Sequence, residues 1–305
     1  ILFAQLHEHM TEKSNVLDSE WKGLMHLSVE DNGKGSDIAK RRLDLSEIFA
    51  CDISDTEKEY KALFALQTTY AIIVKLIACK VVDRLNFNED AHDYHDLSIL
   101  PSDKMQRFFQ EIEDGYSYTS EGIRNFLEGD FFSWYADENQ WSEEFWLNIK
   151  QIIIVLDEYS TFSFNVKYNP VDVFKDLYMS IIPQSVRHSM GEYFTPEWLA
   201  DRVISEALNG IQKQEWKAMD PCCGSGIFII ALIKKVVGDI DVSELSDVER
   251  KVLLNSIIER VHGIDINPLS VLSARVSYYF AIHQFTDIKD VEIPIYLGDS
   301  AIVPI

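Results

Sequence analysis

The chain has 305 residues, 47% of them hydrophobic and 26% charged, enough apolar material for one large domain or two ordinary ones. Its 28 basic and 50 acidic side chains leave a formal net charge of −22. That excludes the chain as a whole as a principal DNA-gripping surface, because non-specific affinity comes from Lys and Arg displacing counterions.

No stretch reads as a membrane span. The most apolar, Ala62 to Val74, contains Gln67, Thr68 and Thr69 between Lys61 and Lys75, and predicts a buried helix. The first residues lack the basic-then-apolar order of a secretory leader. Cys51, Cys79, Cys222 and Cys223 fall in no CxxC or zinc-type spacing, so a reduced, cytoplasmic setting is expected.

Residues 1 to about 170 predict helices joined by polar loops at 28–37, 86–103 and 135–140. "YKALFALQTTYAIIVKLIACKVVDRL" (60–85) predicts one long helix. "SEEFWLNIKQIIIVLDEY" (142–159) predicts another, with Phe145, Ile149, Ile152, Ile153 and Leu156 on one face and Ser142 as N-cap. Asn169–Pro170 has the cap-then-proline form of a helix start, with Phe174, Leu177, Tyr178 and Ile181 facing inward. "HDYHD" (92–96) reads as a solvated loop, and no metal site is expected. The aromatic run 131–146 reads as core between helices. Arg187 and His188 read as a cap for the preceding helix or as phosphate contacts.

The pattern changes after Pro183. "TPEWLADRVISEALNG" (195–210) predicts a helix with Thr195 as N-cap, Pro196 at the first helical position and Gly210 just past its end. A strand (216–220), a glycine turn and a helix (226–237) follow, then a polar segment with its own helix (243–260). A strand (261–266), a helix (268–283) and a strand (293–299) complete the order. Strands alternating with helices predict a parallel, doubly wound sheet. The expected organisation is a helical domain, 1–170, followed by an incomplete α/β domain, 171–305.

In such sheets ligands sit beyond the carboxyl ends of the strands. In "MDPCCGSGIF" (219–228), Gly224 and Gly226 let the backbone turn sharply beside a ligand, and Asp220 stands at the strand end. A dinucleotide site would want a third glycine, but Ile227, Phe228 and Ile229 follow instead, and Asp220 would repel phosphates. A P-loop is excluded because no G-K-[ST] follows. Asp265, in "GIDINP", ends the second strand, where an acid holds ribose hydroxyls. Asp299, in "LGDS", ends the third, where an acid accepts from an adenine amino group. Three successive strand-end acids with one glycine turn describe an S-adenosylmethionine site. The adjacent Cys222 and Cys223 read as packing rather than as a redox pair, since a vicinal disulfide is strained.

These motifs resemble those of DNA adenine-N6 methyltransferases of restriction-modification and phage-defence systems, the type I and type IIG-like enzymes of gamma motif order. "GEYFTP" (191–196) is similar to their motif closing over the methionine end of the cofactor, "DPCCGSGIF" to their D-P-[AC]-C-G-S-G motif, and "GIDINPLSVLSAR" to their ribose motif. The resemblance covers roughly residues 174–305 and implies a Rossmann-like S-adenosylmethionine-dependent domain. It implies that Asp220, Cys222 and Gly224 line the methionine and sulfonium side, that Gly226 also meets the cofactor, that Asp265 binds the ribose, and that Ile266 packs on the adenine. Asp299 and Ser300 would meet the adenine edge, and Tyr193, Phe194, Thr195 and Pro196 would close the site.

The family's catalytic (Asn/Asp)-Pro-Pro-(Tyr/Phe) tetrapeptide does not occur in the 305 residues. "YNPV" (168–171) precedes the cofactor motif and "NPL" (267–269) belongs to the ribose motif. The expectation is therefore a cofactor-binding part of a longer enzyme, inactive by itself and with no catalytic residue of its own. Double-stranded DNA would be held mostly by regions outside this chain, with restriction or defence subunits as further partners and no membrane contact. The competing expectations are a methyltransferase acting on RNA or protein, a non-catalytic S-adenosylmethionine-binding subunit, and a plain nucleotide-binding module.

Overall fold

A computed structural model describes residues 1–30, 35–85, 94–115, 118, 122–127, 131–158, 173–189, 192–211, 216–283, 285 and 291–302. The chain divides into two units that interleave along the sequence. One comprises Ile1–Tyr116, Asp130–Phe162 and Asp176–Tyr193; the other comprises Ser117–Gly129, Ser163–Lys175 and Phe194–Ile305.

The first unit is helical, and its described elements are α1 (Leu2–Glu8), α2 (Glu12–Glu30), α3 (Gly35–Phe49), α4 (Thr56–Leu85), α5 (Tyr94–Ile99), α6 (Ser102–Glu113) and α7 (Glu143–Glu158). Next come α8 (Val173–Ile181), whose residues fall partly in each unit, and α9 (Gln184–Ser189). Helices α1, α2, α3 and α7 all pack on α4. By length and composition α4 could cross a membrane, but nearly all of Thr56–Lys80 is buried within the protein. Its polar residues are paired internally: Gln67 accepts from Trp21 Nε1 at 2.8 Å and Thr68 from Trp134 Nε1 at 3.0 Å. Glu59 takes Arg41 Nε at 2.5 Å and Arg42 Nε at 2.9 Å, and Lys75 pairs with Glu113, which also accepts from the Tyr135 hydroxyl. These pairings let ions sit in a core where an unpaired charge would cost several kcal/mol. Cys51, Cys79, Cys222 and Cys223 are all free thiols.

Helix α7 starts as its sequence predicts, with Ser142 Oγ accepting from Phe145 N–H at 3.1 Å. Its buried face holds Phe145, Trp146, Ile149 and Ile153, while Ile152 and Leu156 are half-buried. The aromatic run is core, with Phe132, Trp134 and Tyr135 all buried. Two expected loops give up residues to helix. Helix persists to Glu30 and resumes at Gly35 within 28–37, while α5 and the start of α6 occupy 94–99 and 102–103. In α5 Tyr94, Leu97 and Ser98 are buried while His95 and Asp96 face solvent; one helical turn suffices for that division, too few residues for periodicity to register. The helix start at Asn169–Pro170 lies outside the described residues. Arg187 takes the capping role, its Nε donating to Ile182 O at 3.1 Å.

The second unit carries a three-stranded, wholly parallel sheet in the order β1 (Ala218–Asp220), β2 (Val261–Asp265), β3 (Ile295–Leu297). With it go α10 (Glu197–Ala207), α11 (Ile227–Val237), α12 (Asp247–Arg260) and α13 (Pro268–Ile282). Helix α10 begins one residue later than its sequence predicts: the cap position belongs to Pro196, in extended backbone, and no side chain caps it. Proline's fixed φ suits the cap as well as the first helical turn, and Thr195 stays outside. Gly210 lies beyond the helix end at φ +81°.

Helix α13 decides how this unit packs. Every residue of it but Ser270 is buried, the pattern of a helix enclosed on all sides. It packs against α11, β2 and β3. Residues from the first half of the sequence and from just beyond it complete its cover: Phe126 stands edge-on to Tyr279 at 6.2 Å, and Phe174 lies 5.8 Å from Phe280.

Candidate cofactor site

The parallel register sets three acids on one diagonal. Asp220 is paired with Gly263, two residues before Asp265; Asp265 is paired with Leu297, two residues before Asp299. Each step of two keeps the same face of the sheet, and neighbouring strands lie about 4.8 Å apart. Asp220, Asp265 and Asp299 thus mark the carboxyl edge of three adjacent strands, with Gly298 N–H bonded to Asp265 O at 2.9 Å to join the second and third.

The glycine turn is built onto that edge. Gly224 adopts φ +54° and Gly226 φ +98°, left-handed values that cost other residues about 1–2 kcal/mol. Gly226 is also the N-cap of α11 and offers no side chain to its first amides, which leaves donors for a ligand. A Cβ on Gly226 would reach Ala274 Cα at 3.4 Å, so this end of α11 lies close on α13. Cys223 N–H donates to Ile264 O at 3.0 Å. Its side chain occupies the space Gly263 leaves, where a Cβ would come within 3.1 Å of Cys223 Cβ and 2.8 Å of Ile295 Cδ1.

Asp265 already holds the turn together. One carboxylate oxygen accepts from Gly224 N–H at 2.8 Å and the other from Asn267 N–H at 2.9 Å. Burial still pushes its carboxyl above the ordinary 3.8, against the pull of those N–H groups. Asp220 accepts from Cys222 N–H at 3.1 Å through one oxygen; the other is buried with no partner. Burial raises its carboxyl as well, and the Asp265 charge raises it further. The same burial, with both carboxylates nearby, drives the Cys223 thiol far above its usual range. Cys223 therefore stays protonated and serves as packing, while Cys222 is exposed. Two close, poorly solvated carboxylates with one oxygen unsatisfied favour a ligand bearing positive charge and hydrogen-bond donors.

Cys222, Gly224, Gly226, Ile266 and Ser300 sit with the three acids along this edge. Ile266 and Ser300 are half-buried, and Asp299 accepts from Ala301 N–H at 2.9 Å. Phe194, Thr195 and Pro196 precede α10, which packs on α11; Glu197 pairs with Lys234 in the last turn of α11 at 2.9 Å. Tyr193 belongs to the helical unit, 71% exposed, with its ring stacked on His188 at 4.7 Å.

Three residues without a role assigned from the sequence support the site, two at the ends of the ribose motif and one far from it. Gly263 has a signal in the sequence, a glycine inside a strand marking close backbone approach. Arg275 is the one charged residue of α13; it is buried, and Nε and Nη2 both donate to Ile295 O, at 2.9 and 2.8 Å. Asn125, in the first half of the sequence, has no such signal. Its amide is clasped to Ile293, donating to O and accepting from N–H, both at 2.8 Å.

Comparison with known proteins agrees with the motifs. Residues 169–300 match the family model of N-6 DNA methylases. Over 120 residues the chain is 31% identical to the adenine-specific methyltransferase PglX of Streptomyces coelicolor, an alignment covering 36% of this chain and 10% of that protein. The chain thus spans about a tenth of the length of the relative it matches. The resemblance to DNA adenine-N6 methyltransferases is borne out over this segment.

Proposed function

We propose that this chain is the S-adenosylmethionine-binding portion of a longer, site-specific DNA adenine-N6 methyltransferase of restriction-modification or phage-defence type, working in the cytoplasm. The carrying observation is the unpartnered, buried Asp220 oxygen beside Asp265, at the carboxyl edge of a parallel sheet above an uncapped glycine turn. A sulfonium and an ammonium would offset that paired negative charge, which a dinucleotide's phosphates would worsen. The second unit is read as the first half of a Rossmann-like domain.

In this reading Asp220, Cys222, Gly224 and Gly226 hold the methionine side, and Asp265 takes ribose hydroxyls on the lone pairs its turn bonds leave over. Ile266 lies on the adenine, Asp299 and Ser300 meet its edge, and Tyr193 to Pro196 cover the methionine end. Bound S-adenosylmethionine supplies an electrophilic methyl group. The chain's own residues orient that group and exclude water. Localising the lone pair of a flipped adenine amine falls to the Pro-Pro tetrapeptide, absent from these 305 residues, so the aligned geometry that lowers the barrier requires the longer protein. Double-stranded DNA and partner subunits are met mainly by that remainder.

Calorimetric titration with S-adenosylmethionine tests the reading. Saturable binding is expected for the wild type and its loss in Asp265→Ala. Because Asp265 also braces the turn, Asp299→Ala is the companion: its carboxylate braces Ala301 instead, and the affinity of that variant should fall about tenfold, the loss of one charged acceptor. A folded wild type that binds no cofactor overturns the reading.

A further inference from the structure

We infer that Ala274 is a positioning residue for the glycine turn: its side chain sets how far Gly226 and the first amides of α11 stand from α13. The inference rests on the cofactor reading above. Gly226 is the N-cap of α11, in left-handed backbone at φ +98°, and offers the amides that follow no side-chain partner. A Cβ placed on it would meet Ala274 Cα at 3.4 Å, Ala274 Cβ at 3.6 Å and Ser277 Cβ at 3.7 Å. Those are contact distances, so the gap between the turn and α13 is one methyl group wide. Ala274 and Ser277 are both buried and, three residues apart, share one face of α13.

Which side of that gap yields decides what Ala274 does. Helix α13 is fastened at three points. Asn267 caps its start by accepting from Leu269 N–H at 3.0 Å, and Arg275 holds Ile295 O of β3. The Tyr278 hydroxyl reaches Ile257 O of α12 and Val261 O of β2, both at 3.3 Å. The turn is tied to β2 at its earlier residues, by Cys223 N–H to Ile264 O and Gly224 N–H to Asp265. Gly226 N–H bonds within the turn itself, to Cys223 O at 2.9 Å. A bulkier side chain at 274 therefore moves Gly226 and the start of α11 rather than α13, while the three acids stay on their strands. Binding groups must keep within about 0.5 Å of their working geometry, so this displacement weakens the hold on the cofactor. Gly226 cannot report the contact itself, because its φ strains any residue with a side chain. Ala274 probes it from the opposite side and leaves the backbone of the turn unaltered.

The test compares Ala274→Val, Ala274→Ser and Ala281→Val with the wild type by calorimetric titration with S-adenosylmethionine. Titrations are run at a temperature at which circular dichroism shows each variant fully helical. Ala281 is buried on the same face of α13, two turns and about 10 Å beyond Ala274, so its variant carries the packing strain without the turn. The expected result is a Kd raised about tenfold in Ala274→Val and about threefold in Ala274→Ser, since atoms added to a filled interior force their neighbours to shift. Ala281→Val should bind within about twofold of the wild type while melting at a lower temperature. In protein carrying isotopically labelled glycine, the Gly226 amide resonance should move in both Ala274 variants and hold its place in Ala281→Val. Should Ala274→Val fail to fold, Ala274→Ser decides by the same two measurements. Wild-type affinity in the folded Ala274 variants, with Asp299→Ala impaired, overturns the positioning role and leaves the cofactor reading standing. An equal loss in Ala281→Val overturns it too, because affinity would then follow packing strain anywhere in α13. Absence of binding by a folded wild type overturns both.

Discussion

Asp220 sits in surroundings unfavourable to its charge in the isolated chain. One of its oxygens is buried without a partner, and its carboxyl is raised above 3.8 by burial and by Asp265. A carboxyl raised in the folded state binds its proton more tightly there than in the unfolded chain. Its penalty is therefore absent below pH 3.8, grows as pH rises toward the folded value, and is complete above it. Asp220→Asn, of the same shape but uncharged, should stabilise the chain at neutral pH by about 1 kcal/mol, the trade common at binding sites. Thermal melts should show the gain vanishing below about pH 4, while titration shows S-adenosylmethionine binding weakened. A variant no more stable than wild type at neutral pH would mean the carboxylate is not strained. Cys223 is the opposite case: Gly263 makes room for it and burial keeps it a thiol.

At the scale of elements, α13 sets the terms. A helix buried on every side must be covered by something, and here segments far off in sequence do part of it. Residues 122–125 run beside 291–293, with Ile123 and Val291 in a parallel bridge, Arg124 N–H donating to Val291 O at 3.1 Å and Val291 N–H to Gly122 O at 2.9 Å. The Asn125 amide adds its two bonds to Ile293, just ahead of β3. Asn125→Ala would leave the Ile293 N–H without its acceptor in the interior, while Ile293 O keeps its bond from Ile295 N–H at 2.8 Å. It should destabilise the protein by about 2 kcal/mol, the cost of one buried donor left unsatisfied. Chemical denaturation would read this as a lower midpoint at an unchanged slope; a loss under about 1 kcal/mol would show that solvent replaces the clasp.

For the whole molecule, charge is the dominant fact. With a net −22, this chain should show no binding to a fluorescent DNA duplex by anisotropy at about 0.15 M salt, where contacts to phosphate are already weakened. Tight, salt-sensitive binding would instead locate the DNA grip within these residues. Much of the site is legible in the sequence. Gly224 and Gly226, Asp220, Asp265 and Asp299, the alternation of strand and helix after Pro183 and the burial of α4 are all written in local pattern, because turn chemistry and periodicity act over a few residues. The extent of helix within 28–37 and 86–103 and the cap of α10 are not, since a turn or two of helix carries too little periodic signal. Other features have no local trace. The engagement of both Asp265 oxygens by the glycine turn, the Asn125 clasp across 168 residues and the close approach of Ala274 to Gly226 join residues whose neighbours in sequence say nothing of each other. The sequence by itself determined which groups stand at the strand ends; only the tertiary structure decided what braces them, because bracing depends on burial and distance between segments that meet when the chain is folded.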